Sequence, residues 1–231
     1  YQDLNGNDPE DLKGIIENHV GYMKIPMAIV GPALINGKYA NGKFSIPLCT
    51  IEGTLAASMN RGLYASSLCG GINVKHFRQE LSRSPIFLFD DLNKSEEFQI
   101  WVEKNTKEII KAAQSTTKHG KILRIDQHAI QNYVLLDFIL DTGNAAGQNM
   151  VTLATNVACD YIRQQTGHDF FLDSNLASDK KASYRNLILG RGHGVIAETH
   201  VSKSVMTRVL NVDPDFIIKN WTYFPIVSGM A

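Results

Sequence analysis

"KILRIDQHAIQNYVLLDFIL", residues 121–140, is the stretch on which the fold turns. KILRIDQHAI and NYVLLDFIL are both rich in β-branched and aromatic residues, and only Gln131 separates them, which predicts a β-hairpin. Upstream, after the short strand PIFLF, "SEEFQIWVEKNTKEIIKAAQ" puts Phe98, Trp101, Val102, Ile109 and Ala112 on one helical face, with Ser95, Glu96 and Glu97 suited to its start. Downstream, "GQNMVTLATNVACDYIRQQTG" repeats Met150, Leu153, Ala154, Val157, Ala158, Tyr161 and Ile162 at helical spacing and stops at Gly167. "HDFFLDSNL" supplies a last strand. The order β-α-β-β-α-β over residues 84–175 is the split βαβ, ferredoxin-like arrangement, a four-stranded sheet covered by two helices on one face.

The flanks differ. Residues 17–71 are rich in Gly, Pro and short apolar runs, and residues 187–200 read as strand, GRGHG turn, strand. Neither flank closes a core alone, so the expected class is α+β, a larger mixed domain interrupted by a ferredoxin-like small domain. Residues 1–76 would open the large domain, 77–172 would form the small one, and 173–231 would carry an active-site loop and return to the large domain.

The totals exclude several function classes. At 231 residues and 44% apolar the chain can bury a core, and 23 basic against 23 acidic residues leave no electrostatic footprint for nucleic acid or an anionic membrane. Cys49, Cys69 and Cys159 are odd in number and lack C-x-x-C spacing, which argues against a disulfide framework or a structural zinc site. The surroundings expected are reducing: cytoplasm, or the cytosol-facing part of an anchored parent. "IPMAIVGPALI", the longest apolar stretch, falls far short of the ~20 residues that cross a bilayer, and no secretory signal opens the chain. The seven histidines show no H-E-x-x-H spacing, so no metal is expected.

Three stretches carry candidate chemistry. In "CTIEGTLAASMNRG", Glu52 stands among apolar neighbours ahead of a small-residue helix, where desolvation would favour the neutral acid able to donate a proton. The plainer reading is a carboxylate at the positive end of a helix beginning near Thr54. "DTGNAAGQNM" leads from a strand straight into a helix, so small residues would let a ligand approach the backbone while free N–H groups meet a phosphate. An ordinary Gly-rich connection reads the same way. In "SDKK", a lysine beside a second cation could hold its charge against a developing oxyanion, with Asp179 positioning it, or the cluster could be a solvated loop.

Together with "ENHVGYMKIPMAIVGP", "TIEGTLAASMNRG", "GNAAGQNMV" and "SDKKASYRNLILGRGHGVIAE" occur in the order seen in hydroxymethylglutaryl-CoA (HMG-CoA) reductases, and the chain resembles that family from about Glu17 onward, nearer its eukaryotic and archaeal class. The resemblance implies NADPH-dependent reduction of HMG-CoA to mevalonate and free CoA, with the cofactor on the ferredoxin-like insertion. It implies Glu52 as proton donor and Lys180 as the lysine that stabilises the oxyanion. Lys75, Ser178, Asp179 and Lys181 would bind substrate. Thr117 and Lys118 would lie near the ribose phosphate of NADPH, and Asn144, Ala145, Ala146, Gly147, Gln148 and Asn149 would form the cofactor loop.

The chain departs from the family pattern at Asn144, where the loop reads Asp in "GDAMG", at Lys75, where an arginine is usual, and at Tyr223, in the place of a pocket lysine. The family's catalytic aspartate and late histidine would fall beyond Ala231, which points to a longer parent, and a dimer with sites between subunits is implied. The alternative is a catalytically impaired member kept as a CoA-ester-binding or interaction protein. An RNA-recognition module shares the β-α-β-β-α-β order, but "NYVLLDFIL" lacks the K/R-G-F/Y-G/A-F pattern and the net charge is zero.

Overall fold

The computed structural model describes residues 17–18 and 23–228. In chain order the elements are β1 (Met27–Gly37), β2 (Asn41–Cys49), α1 (Leu55–Leu68), β3 (Ile72–Arg83), β4 (Ile86–Leu88), α2 (Leu92–Gln114), β5 (Lys121–Ile130), β6 (Tyr133–Asp141), α3 (Gln148–Thr166), β7 (Phe170–Phe171), α4 (Tyr184–Leu189), β8 (Gly192–Glu198), α5 (Lys203–Val205), a π-helical turn (Met206–Leu210) and α6 (Pro214–Ser228). The class is mixed α+β. The chain divides into two compact units, residues 1–74 with 197–231, and residues 75–196.

In the first unit β1 and β2 pair antiparallel, and β1 continues in parallel with the start of β3 through Ile35–Gly37 against Ile72–Val74. Helix α1 packs on β1, where Asn60 Oδ1 accepts from the Gly31 N–H at 2.7 Å. Among its described residues the buried apolar ones are few: Val30, Ala33, Ala65 and Val205. Much of what remains faces solvent, above all on α6, where Phe216, Ile218, Trp221, Phe224, Ile226 and Val227 are exposed.

The second unit holds the larger core. The hairpin forms as the spacing predicts, β5 against β6, with Gln131 in left-handed backbone (φ 55°) at the turn. On the other side of β6 lie first the end of β3 and then β4, and β4 in turn pairs β7. The strand order is therefore β5-β6-β4-β7, each neighbour antiparallel. Alternation along β6 sends Val134, Leu136, Phe138 and Leu140 into one cluster with Phe98, Val102, Ile109 and Ala113 of α2 and Val151, Ala154, Ala158, Cys159 and Ile162 of α3. Burial pushes the Cys159 thiol well above its ordinary value. Gly167 ends α3 in left-handed backbone (φ 77°), as its place after the periodic run predicts.

Four expectations need correction. Asp91, not Ser95, opens α2, because its carboxylate accepts from the Lys94 N–H at 2.9 Å and captures the helix start one turn earlier. Ala113, rather than Ala112, joins the core. The last strand shrinks to Phe170–Phe171. Residues 187–200 are not strand, turn, strand: Ser183 Oγ accepts from the Asn186 N–H at 3.2 Å and starts α4, and a strand begins only at Gly192. The apolar run Leu187, Ile188 and Leu189 is exposed, at 77%, 57% and 48%.

Candidate functional site

The loop from β6 to α3 forms as its sequence predicts, and it is tightly built. Thr142 Oγ1 donates to the Ala145 carbonyl at 2.8 Å, Asp141 Oδ1 accepts from the Gly143 N–H at 2.9 Å, and the Gln79 amide donates to the Gly143 carbonyl. Gly147 sits at φ 76°, and a Cβ there would lie 2.3 Å from Thr142 Cγ2, so the loop requires glycine at this point. No side chain caps α3. Its first N–H groups and the positive end of its dipole therefore face the loop, the arrangement that receives phosphate.

Asn144, Ala145 and Ala146 are exposed and line a cleft of about 260 Å³ with Gln79, Glu80, Leu81, Thr142, Gly192 and His193. Beside the loop lies the turn after α2, where Thr117 Oγ1 accepts from the His119 and Gly120 N–H groups at 3.1 Å each. A Cβ on Gly143 would stand 3.8 Å from the His119 carbonyl, so the turn carrying Thr117 and Lys118 adjoins the loop carrying Asn144. Hydrogen bonds from Arg124 hold the Glu80 carboxyl below its usual value. His76 Nε2 and His193 Nδ1 are 3.0 Å apart.

The lysine loop is the most constrained piece of backbone in this unit. Asn175, Ser178 and Lys180 all adopt left-handed φ (65°, 53° and 53°), a conformation that costs a non-glycine residue on the order of 1 kcal/mol or more. Surrounding contacts hold it there. Asp179 does not pair with Lys180 as the sequence suggests: Oδ1 accepts from Gln148 Nε2 at 2.7 Å and from Arg191 at 3.1 Å, and Oδ2 lies 3.5 Å from Arg83. Arg191 also donates to the Ala177 carbonyl at 3.0 Å. Burial pushes the Arg191 guanidinium below its ordinary value, and Asp179 opposes that shift. Lys180 and Lys181 are exposed, and Lys181 Nζ donates to the Asp179 carbonyl at 3.1 Å. Ser178 is buried. Below this loop, Arg185 pairs with the buried Asp137 on β6, which also accepts from Ser84 Oγ at 2.6 Å.

A family model described as hydroxymethylglutaryl-coenzyme A reductase matches residues 2–231. The chain belongs to the HMG-CoA reductase family. It is 35% identical to a 3-hydroxy-3-methylglutaryl-coenzyme A reductase of Methanothermobacter thermautotrophicus over 94% of the chain and 55% of that protein, and 37% identical to one of Pyrococcus horikoshii over 97% and 55%. The chain thus spans about half the length of these curated relatives. Among solved structures it is similar in fold to the reductase of Streptococcus pneumoniae, with a TM-score of 0.60 at 15% identity over 69% of the chain and 38% of that one. A second structure of the Streptococcus enzyme, with the same score, is bound to NADPH.

The Thr142–Gly147 loop and the loop carrying Lys180 both lie in residues 75–196, with Lys75 exposed on β3. Glu52 belongs to the first unit; it is exposed, and its N–H donates to Thr50 Oγ1 at 2.9 Å. The apolar enclosure predicted for it is not made in this chain. Thr54 does precede α1, as the plainer reading has it, and Tyr223 is exposed on α6. Among the described residues no cluster of three or more metal-ligating side chains occurs, and no helix is long and apolar enough to cross a membrane. Sequence reasoning missed Arg83 and Arg191, the cations that hold the lysine loop, and Arg185, which pairs with Asp137. An arginine inside GRGHG, close to an acidic residue at the head of a lysine pair, was the available signal.

Proposed function

We propose that this chain supplies nucleotide-binding and substrate-activating parts of an NADPH-dependent reduction of HMG-CoA to mevalonate and free CoA. The observation that carries this reading is the Thr142–Gly147 loop, which opens into the uncapped start of α3 and borders a cleft beside the Thr117–Lys118 turn.

In this reading residues 77–172 are a ferredoxin-like nucleotide domain, a proposal supported by the β5-β6-β4-β7 order with α2 and α3 on one face. Residues 1–76 and 173–231 belong to a substrate domain, and the intact protein is a dimer. The small residues Ala145, Ala146 and Gly147 admit a diphosphate to the N–H groups of Gln148 and Asn149, Asn144 lines the cleft beside them, and Thr117 and Lys118 take the ribose phosphate. These residues fit the group by donor chemistry: backbone N–H, hydroxyl and ammonium toward phosphate. NADPH, when bound, supplies hydride.

The chain's own residues handle the charge. Reducing a thioester to an alcohol takes two hydrides and two protons and releases CoA. Lys180 holds its ammonium toward the oxyanion that forms as each hydride reaches the carbonyl carbon, a contribution concentrated in the transition state. Glu52 is the proton donor. Ser178, Lys181 and Lys75 bind the hydroxymethylglutaryl group; a lysine at Lys75 attracts its carboxylate as a point charge without the arginine fork. Asp179 belongs to the same loop.

Two measurements test the reading. Titrating the 231-residue chain with NADPH should give saturable binding. In a protein joining this chain to the remaining length of its relatives, two NADPH should be oxidised for each mevalonate formed. Absence of NADPH binding would remove the cofactor assignment, and mevalonate formation at the same rate after Lys180→Ala would remove the lysine assignment.

A further inference from the structure

The residue that opens α3 and the residue that precedes Lys180 are tied directly to one another across 31 positions of sequence, Gln148 Nε2 to Asp179 Oδ1 at 2.7 Å. One turn further along α3, Thr152 Oγ1 accepts from Arg83 at 2.9 Å, and Arg83 in turn faces the second Asp179 oxygen at 3.5 Å. The lysine loop is thus fastened to two successive turns of the helix that begins where the nucleotide loop ends. Both Asp179 oxygens are engaged, one by an amide and a guanidinium and the other by a guanidinium. Its carboxylate acts as a joint in the protein.

The loop on the far side of this joint is held in sparsely populated backbone, with Ser178 and Lys180 both at φ 53°. Such a conformation persists only while its surroundings hold it, so a small displacement at the joint alters where Lys180 is presented. Gln148 immediately follows Gly147, and its own N–H is one of those offered to a ligand of the Thr142–Gly147 loop. A ligand that fixes the start of α3 therefore fixes the donor that grips Asp179.

We propose that Gln148 and Asp179 are positioning residues that couple the loop at the start of α3 to the loop that carries Lys180, so that an occupant of the first sets the placement of the second. The identity of that occupant as NADPH rests on the function proposed above, whereas the joint itself does not. Coupling of this kind is reciprocal: if NADPH orders the lysine loop, breaking the joint weakens NADPH binding by the same factor.

The experiment is backbone hydrogen exchange on the 231-residue chain, followed over residues 176–182 with β6 as an internal control for folding. Wild type is compared with Gln148→Leu, which removes the donor, and with Gln148→Glu, which keeps the length and places a carboxylate against Asp179. Without ligand, exchange over 176–182 should rise roughly tenfold in both variants while β6 is unchanged. Saturating NADPH should slow exchange over 176–182 in wild type by about fivefold or more and leave the variants unaffected. Unchanged exchange in both unliganded variants, or protection by NADPH that survives in them, would overturn the proposal. Wild type that binds no NADPH would overturn the cofactor reading, and the unliganded comparison then decides the joint by itself.

Discussion

Arg191 reaches back twelve residues to Asp179, nitrogen to Oδ1 at 3.1 Å, while its other terminal nitrogen donates to the Ala177 carbonyl at 3.0 Å. One guanidinium therefore closes the lysine loop into a ring with two anchors. Both side chains of the ion pair are only 15% exposed, so loss of the cation leaves a poorly solvated carboxylate with Gln148 and the more distant Arg83 as its partners. Arg191→Gln should cost about 2–3 kcal/mol. Arg191→Lys should cost less but fail to serve both acceptors at once. Urea unfolding of the two variants measures the difference, and equal stabilities with wild type would show that the pair is superficial.

The proposed reaction gives the neighbours Lys180 and Lys181 different duties. In the active protein Lys180→Ala should lower kcat far more than it raises KM, by the equivalent of roughly 3–4 kcal/mol, because its charge is needed where the oxyanion develops. Lys181→Ala should chiefly raise KM for HMG-CoA. Steady-state kinetics separates the two, and equally mild effects would mark the pair as a solvated charge cluster.

Gly147 is the tightest point of the Thr142–Gly147 loop. At φ 76°, with a substituted Cβ 2.3 Å from Thr142 Cγ2 and 2.5 Å from Thr142 Cβ, Gly147→Ala meets both backbone strain and collision. The expected loss is about 2 kcal/mol or more of stability together with most of the NADPH affinity. Thr142→Ser should recover part of the loss, since it removes the nearest colliding atom. Thermal unfolding and nucleotide titration of the single and double variants check this, and a Gly147→Ala chain that behaves as wild type would contradict the loop geometry.

Glu80 titrates below its ordinary value of 4.5 because Arg124 donates to both of its oxygens, at 2.9 and 3.0 Å. A carboxyl lowered in the folded state contributes stability that is complete above the unfolded value and is lost as pH falls through the folded one. The window therefore lies below pH 4.5. Arg124 is partly exposed, so the contribution is small, about 0.5 kcal/mol. Glu80→Gln should be less stable than wild type at about pH 6 and nearly equal to it at about pH 3. A constant difference across that range would exclude the ion pair as its source.

The parts of this fold that a reader of the sequence can find are those written in short-range periodicity. Residues 121–140 are rich in β-branched and aromatic residues as strands are, 148–166 repeat as a helix does, and the small residues between Asp141 and Gln148 announce the junction that becomes the candidate nucleotide loop. What stays hidden is either locally ambiguous or distant. Asp91 and Ser95 are both good cap residues, and only the surrounding packing chooses between them. The apolar residues before GRGHG read as strand until Ser183 is seen capping a helix over Tyr184–Leu189. Asp179 and Lys180 stand out by composition, yet the partners of Asp179 lie 12 and 31 residues away, beyond any local pattern. That Glu52 lies just ahead of a helix was legible, and its exposure was not.

Strand β6 also bears on how this protein can be cut for laboratory use. One face of the strand meets α2 and α3, while on the other the buried Asp137 is paired with Arg185, 48 residues later in the chain. An excised piece ending at residue 172 would leave that carboxylate without its guanidinium and would uncover the sheet on the side where Leu135 and Ile139 alternate with Asp137. Carrying the fragment on to residue 196 keeps the pair intact. The portable unit for crystallisation or ligand screening is accordingly longer than the run of strands and helices that first defines it.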